Sequence, residues 1–305
     1  TWQSTLWIVM AFFSVVIRDL AYMMRIRVLT NNELNWERSF IVIMLWECSS
    51  ALAPGIIGGG FFFAIFILSR EGVNMGRSIS VITFSSFLDG IFLAVMAPLV
   101  YWIAGKSQLF SGIHLSGALG AGFFYSFWTV YFIILAYKLF VAYALFVNPY
   151  FIKNALVAIF SVPLLRRFRR SVIETGNQLI IASEDLKTKN FRYWALSIFA
   201  TFASWTARYS IVNCIIHAFQ GSEALPDFVI YGKQVVMGII ILVSPTPGGS
   251  GLAEVIFNDF LGGFIQQGLA PTLAFLWRLL SYYPYIIAGA IILPRWVRKK
   301  VFDKV

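Results

Sequence analysis

Charge is scarce in this 305-residue chain: only 12% of its residues are Asp, Glu, Lys or Arg, against 59% hydrophobic and 17% aromatic. That balance, with a mean hydropathy of +0.77, excludes an ordinary soluble core and fits a polytopic helical membrane protein. Histidine is scarcer still. His114 and His217 are the only two, which rules out a histidine-based metal centre, and no metal or other cofactor is expected. Cys48 and Cys214 both fall inside apolar runs, so a disulfide framework is not expected either. The chain has no G-x-x-x-x-G-K, H-E-x-x-H or G-x-S-x-G pattern, and with them go the usual nucleotide, zinc-protease and hydrolase signatures. No signal peptide is read, and the start on Thr1, close to an apolar run, is expected to follow a trimmed segment.

The net charge of +10 does not argue for nucleic acid, because the basic residues lie between apolar runs. It argues for cytoplasmic loops against anionic lipid headgroups.

Two of the apolar runs are interrupted in nearly the same way, by Ala53-Pro54-Gly55-Ile56-Ile57-Gly58-Gly59-Gly60 and by Ser244-Pro245-Thr246-Pro247-Gly248-Gly249-Ser250-Gly251. Proline removes a backbone donor and clusters of glycine favour non-helical backbone. In lipid, such backbone is tolerated only where protein buries it or where it lines a wet cavity. Two breaks of this kind therefore predict a site.

Runs of about 20 apolar residues place the spans. A first helix covers 2–29, a broken segment 39–69, a span 78–103, a linking span 117–147, a basic interfacial segment 148–191, a span 192–220, a second broken segment 226–265, a last span 270–293 and a basic tail 294–305. The regions 25–38, 70–77, 148–192 and 295–304 hold 18 of the 24 basic residues, whereas the loops 104–116 and 221–225 hold one. The basic regions are accordingly read as cytoplasmic. Both ends of the first broken segment then lie inside and both ends of the second outside. The expected fold is an all-α single transmembrane domain with two inverted repeats, 2–103 and 192–293, each a helix, a re-entrant hairpin and a helix.

Ionisable groups at membrane depth mark candidate chemistry. Glu47 precedes the first break by seven residues, and Glu254 follows Gly251 by three, where it can cap a helix start or bind a cation, proton or arginine. Arg208 sits near mid-depth and either pairs permanently with Glu47, Asp89 or Glu254 or receives a substrate phosphate, to which its planar fork is suited. Arg278 carries the same two readings. Arg18 with Asp19 reads as a solvated helix end. Lys138 reads as a snorkelling anchor, and Lys233 as structural. Amides at Gly248, Gly249 and Gly251, and at Gly58 and Gly59, could receive an anion or allow close packing.

The run from Pro245 to Glu254 is similar to the P-x-P-G-G-x-G-x-x-E signature of the membrane domain of lysylphosphatidylglycerol synthases, a flippase-like family. Arg25, Ala53-Pro54-Gly55, Gly58-Gly59-Gly60, Arg70 with Gly72-Val73, and Asp89 fit the same pattern. Ser85 and Ser86 depart from it, standing where the family often has Glu-Arg. None of the residues supplies the aminoacyl-transferase domain of the full synthases, so the resemblance implies lipid translocation without lysine transfer. The expected protein is a multi-pass inner-membrane flippase for an anionic or aminoacylated phospholipid or a polyprenyl-phosphate-linked lipid. Its expected site is Arg208, Arg278, Glu47, Glu254, Asp89 and Arg70 around Pro54, Gly58, Gly59, Pro245, Pro247, Gly248, Gly249 and Gly251. An enzyme acting on a lipid phosphate and a non-transporting scaffold stand as alternatives, and a homo-oligomer is left open.

Overall fold

A computed structural model describes residues 2–55, 60–111, 118–159, 161, 169–220 and 225–302. Among them, helices account for every regular element, and the β-type pairing is a single bridge. Helix α1 spans Trp2–Leu29 and ends in a turn where Asn31 and Asn32 take left-handed backbone (φ 53° and 61°), a conformation asparagine tolerates better than most residues. Asn35 then caps α2, Trp36–Leu52, its side chain accepting from the Arg38 amide at 2.8 Å. The run breaks and resumes as α3, Phe61–Arg70. At 1.5 Å per residue, α2 reaches about 25 Å and α3 about 15 Å, so neither crosses a bilayer comfortably alone.

Asn74 caps α4, Met75–Leu109, which runs beyond the expected 78–103 and takes in part of the loop expected at 104–116; Gly105 (φ 73°) kinks it near its end. Helices α5 (Ala118–Phe146), α6 (Pro149–Ile159) and α7 (Arg169–Lys187) lead to α8, Phe191–Gln220. The second broken run gives α9, Asp227–Leu242, and α10, Leu252–Leu261. The last span, expected as one helix, is two: α11 (Ala270–Ser281) stops at Tyr282, and α12 (Tyr283–Val297) restarts with Pro284 in its first turn. Proline is disfavoured inside a helix and favoured at its start; this proline was the signal for the break.

Among the described residues, three helical stretches, Ser4–Leu29, Met75–Leu109 and Ala270–Lys300, are long and apolar enough to cross a membrane. Large apolar side chains such as Phe12, Phe13, Phe62, Phe63, Trp102, Phe199 and Ile287 are exposed, an outer surface suited to lipid rather than water.

The interior is divided in two. One core collects Tyr22, Ile26, Val42, Leu45, Leu68, Ile82, Leu88 and Tyr285 around α2 and α3; the other collects Phe92, Val100, Ile211, Val236, Phe257 and Leu273 around α9 and α10. Among the buried core members, the changeover on α4 falls between Leu88 and Phe92, and on α1 between Ala11 and Tyr22. Asp89 and Arg18 occupy those two intervals. The polar residues thus lie where the two apolar cores meet.

Candidate functional site

Helices α1 and α8 pack antiparallel along their length: Trp7 stacks on His217 with ring centroids 4.7 Å apart, and Arg25 Nη1 donates to Thr201 Oγ1 at 3.3 Å. The pairing puts Arg18 of α1 and Arg208 of α8 at the same level. Both reach one carboxylate on α2. Arg208 Nη2 donates to the two oxygens of Glu47 at 3.0 and 3.1 Å, and Arg18 Nη2 lies 3.5 Å from Glu47 Oε2. Arg18 is fully buried, with its guanidinium 4.2 Å from the centre of the Tyr285 ring and its Nε donating to Asp19 at 3.2 Å. Asp19 also accepts from the Tyr285 hydroxyl at 2.8 Å. The solvated helix end expected at Arg18 and Asp19 is therefore an interior ion-pair cluster. Burial this deep removes the hydration that the expectation assumed, and the ring and the carboxylates replace it.

One turn further along α4 from Ser85, Asp89 accepts from Arg25 Nη1 at 2.5 Å and from the Trp205 indole at 2.7 Å. Arg25 and Arg18 are seven residues apart, two helical turns, and Tyr22 lies between them on the same face. The Tyr22 ring faces three guanidinium groups, those of Arg25, Arg208 and Arg18, at 4.9, 5.8 and 6.0 Å. A cavity of about 170 Å³ opens beside these groups, lined by Tyr22, Arg25, Trp46, Glu47, Asp89, Trp205 and Arg208, with Ile43 and Ser50 completing the wall. Glu47, Asp89 and Arg208 keep 22%, 24% and 29% of their side chains exposed, whereas Arg25 keeps 4%.

The two breaks meet above Glu47 along α2. Pro54 and Pro247 form an antiparallel bridge, and the Gly248 amide donates to the Ala53 carbonyl at 3.3 Å. Arg278 braces this junction. Its Nη2 donates to the Gly248 carbonyl and the Ser250 hydroxyl, both at 3.1 Å; its Nε lies 2.9 Å from Glu254 Oε1; and its guanidinium sits 3.7 Å over Tyr282. The Tyr282 hydroxyl in turn donates to the Ala51 carbonyl at 3.1 Å. Glu254 accepts from the Gly251 amide at 2.7 Å and so caps the helix that follows. Arg278 and Glu254 therefore hold the junction together and do not line the cavity.

Of the expected site residues, Arg208, Glu47 and Asp89 come together at the cavity. Arg278, Glu254, Pro54, Pro245, Pro247, Gly248, Gly249 and Gly251 belong to the junction and the bends beside it. Arg70 joins neither: it is exposed at the end of α3, its guanidinium 5.3 Å from the Phe66 ring. Gly58 and Gly59 lie outside the described residues. Lys138 is no snorkelling anchor, since its Nζ donates to the carbonyl and hydroxyl of Ser86, both at 2.8 Å. Lys233 is fully buried, and its Nζ donates to the Ser111 carbonyl at 2.7 Å beyond the end of α4. Among the described residues no cluster of His, Cys, Asp and Glu could hold a metal ion.

Residues 2–289 match the family model described as the lysylphosphatidylglycerol synthase TM region. The chain belongs to that family. It is also 23% identical over 299 residues to a UPF0104 membrane protein of Archaeoglobus fulgidus, covering 93% of this chain and 84% of that protein. No solved structure matches it. Within this family's pattern, the proline–glycine–glutamate signature builds the junction of the two breaks, and Arg25 and Asp89 form an ion pair. Ser86, at one of the two departing positions, receives Lys138 from α5.

Proposed function

We propose that this membrane protein moves a phospholipid between leaflets, with its headgroup passing through the cavity at Arg208 and Glu47. The observation that carries this reading is the meeting of the two helix breaks at the end of α2, next to a cavity lined by Arg25, Glu47, Asp89 and Arg208. Broken helices meeting at a polar midplane site are a recurring transporter plan. Arg208 is the residue fitted to receive the phosphate: its guanidinium lines the cavity, it is part-exposed, and it can offer two parallel donors.

The inverted repeat is part of this proposal. Packing supports it: α2 packs on α12 as α9 packs on α4, α3 on α4 as α10 on α11, and α1 on α2 as α8 on α9. Exchanging the first three-part unit for the second reproduces the pattern. In this reading α2–α3 and α9–α10 are re-entrant from opposite faces, the basic segments face the cytoplasm, and the membrane is the inner one. One unit rocks against the other across the Pro54–Pro247 junction, exposing the cavity to each side in turn. The function is transport rather than catalysis, and anionic lipids contact the basic loops.

Reconstitution tests the reading. Vesicles holding the protein and a tail-labelled fluorescent phospholipid are treated with an impermeant quencher. The wild type is expected to expose inner-leaflet label faster than empty vesicles. Arg208→Ala is expected to slow this by roughly tenfold or more, since a charge-assisted contact is worth about 1.5–3 kcal/mol. Wild-type rates equal to empty vesicles for every phospholipid tried would overturn transport.

A further inference from the structure

The geometry points to a headgroup that is itself a zwitterion: a phosphodiester and an ammonium on one neutral headgroup, with the phosphate taken by Arg208 and the ammonium by Glu47. This rests on the reading of the cavity as a lipid headgroup site, and narrows the substrates that site would accept.

The argument is one of charge balance. Among the ion-paired groups, Arg18, Arg25 and Arg208 face Asp19, Glu47 and Asp89, three formal positive charges against three negative; Lys138 stands near Asp89 but is bonded to Ser86 and lies outside the cavity wall. The cavity wall repeats the balance on a smaller scale, with Arg25 and Arg208 against Glu47 and Asp89. A phosphate monoanion that enters and takes Arg208 leaves the site with one negative charge in excess, at a depth where uncompensated charge is strongly disfavoured. A zwitterion avoids this. Its phosphate replaces Glu47 on Arg208 while its ammonium replaces Arg208 on Glu47, so one internal ion pair becomes two external ones and the total stays at zero.

Three further features fit. The Arg208–Glu47 pair is the part-exposed one, whereas the arginine of the Arg25–Asp89 pair is buried and its aspartate is also held by Trp205. The first pair can therefore open while the second stays closed. Glu47 does not lose all support when Arg208 turns away, because Arg18 stands 3.5 Å from its Oε2. The cavity is also lined by Trp46, Trp205 and Tyr22, and aromatic rings attract alkylammonium groups.

Binding of short-chain lipids to the full chain in detergent tests the idea separately from transport. Dihexanoyl-phosphatidylethanolamine is expected to bind at least about tenfold more tightly than dihexanoyl-phosphatidylglycerol, a gap of about 1.4 kcal/mol. Glu47→Gln, which leaves the site one charge positive, is expected to reverse that order. Equal or tighter binding of the phosphatidylglycerol by the wild type overturns the proposal, a comparison that does not depend on any variant folding. Glycerophosphoethanolamine, the same headgroup without tails, is expected to compete only weakly. Competition as strong as the lipid's would overturn a lipid source. Failure of every labelled lipid to cross vesicles, with the binding order intact, would overturn transport and leave the zwitterion preference standing.

Discussion

Pro54 and Pro247, 193 positions apart, pair across an antiparallel bridge that joins the two helix breaks. Neither proline can donate a backbone hydrogen bond, so the bridge depends on its neighbours, above all on the Gly248 amide donating to Ala53. Gly248 has φ 55°, and a Cβ there would stand 2.7 Å from the Ala51 carbonyl oxygen. Two constraints, one conformational and one steric, thus fix glycine at this position.

Gly248→Ala is accordingly expected to destabilise the protein by about 2 kcal/mol or more, combining left-handed strain with the clash. Thermal unfolding in detergent reads the loss. Gly251 also has positive φ (82°) but open space where a Cβ would go, so Gly251→Ala is expected to cost about 1–2 kcal/mol, the strain alone. Equal losses for the two would remove the close approach from the account.

Glu47 holds two arginines, and its loss should be felt more than the loss of either. Glu47→Gln leaves Arg18 and Arg208 without that charge, one of them fully buried, and is expected to cost about 3–5 kcal/mol. Arg208→Ala leaves Glu47 beside Arg18 and removes a part-exposed group, so its cost is expected to be clearly smaller. The double variant should recover part of the difference, and a cycle of the three measures the coupling. Strict additivity would contradict the shared carboxylate.

The breaks and the candidacy of Glu47, Asp89 and Arg208 were legible because proline, glycine and charge are conspicuous in an apolar chain. Which charges meet was not legible, since that depends on how α1 and α8 pair. Arg18 and Arg25 show the limit. Their seven-residue spacing, with Tyr22 between, marked one helical face, but a basic helix end next to a polar turn reads equally well as solvated. Glu254 shows another limit: three residues after Gly251, a carboxylate suits a cap and a cation site alike, and only Arg278 beside it decides between them. Lys138 finds its partner on another helix, at Ser86, a contact no local pattern encodes.

Lys233 gives an expectation of the opposite sign. It is fully buried, and the contacts of its ammonium group are the carbonyls of Leu109 and Ser111, the Ser111 hydroxyl and the rings of Phe264 and Phe260, with no carboxylate among them. Burying an ammonium opposes folding, and exchanging buried charge for apolar volume is often neutral or stabilising. Lys233→Met is expected to change stability by less than about 1 kcal/mol or to raise it. A loss above about 3 kcal/mol would mean that the tie between α9 and the end of α4 outweighs desolvation.

Glu254 and Arg278 separate support of the junction from chemistry in the cavity. Glutamine at 254 keeps an oxygen for the Gly251 amide and loses the charge facing Arg278, which retains Gly248, Ser250 and the Tyr282 ring. Glu254→Gln is therefore expected to cost about 1 kcal/mol, and lipid movement in vesicles should stay within a few-fold of wild type. Arg278→Ala removes every one of those contacts, leaves Glu254 without its cation and frees the Gly248 carbonyl. It is expected to cost about 3 kcal/mol and to lower lipid movement in proportion to the folded fraction. The reading fails if Glu254→Gln abolishes movement while the protein remains as stable as wild type, because Glu254 would then be acting on the substrate rather than holding the helix start.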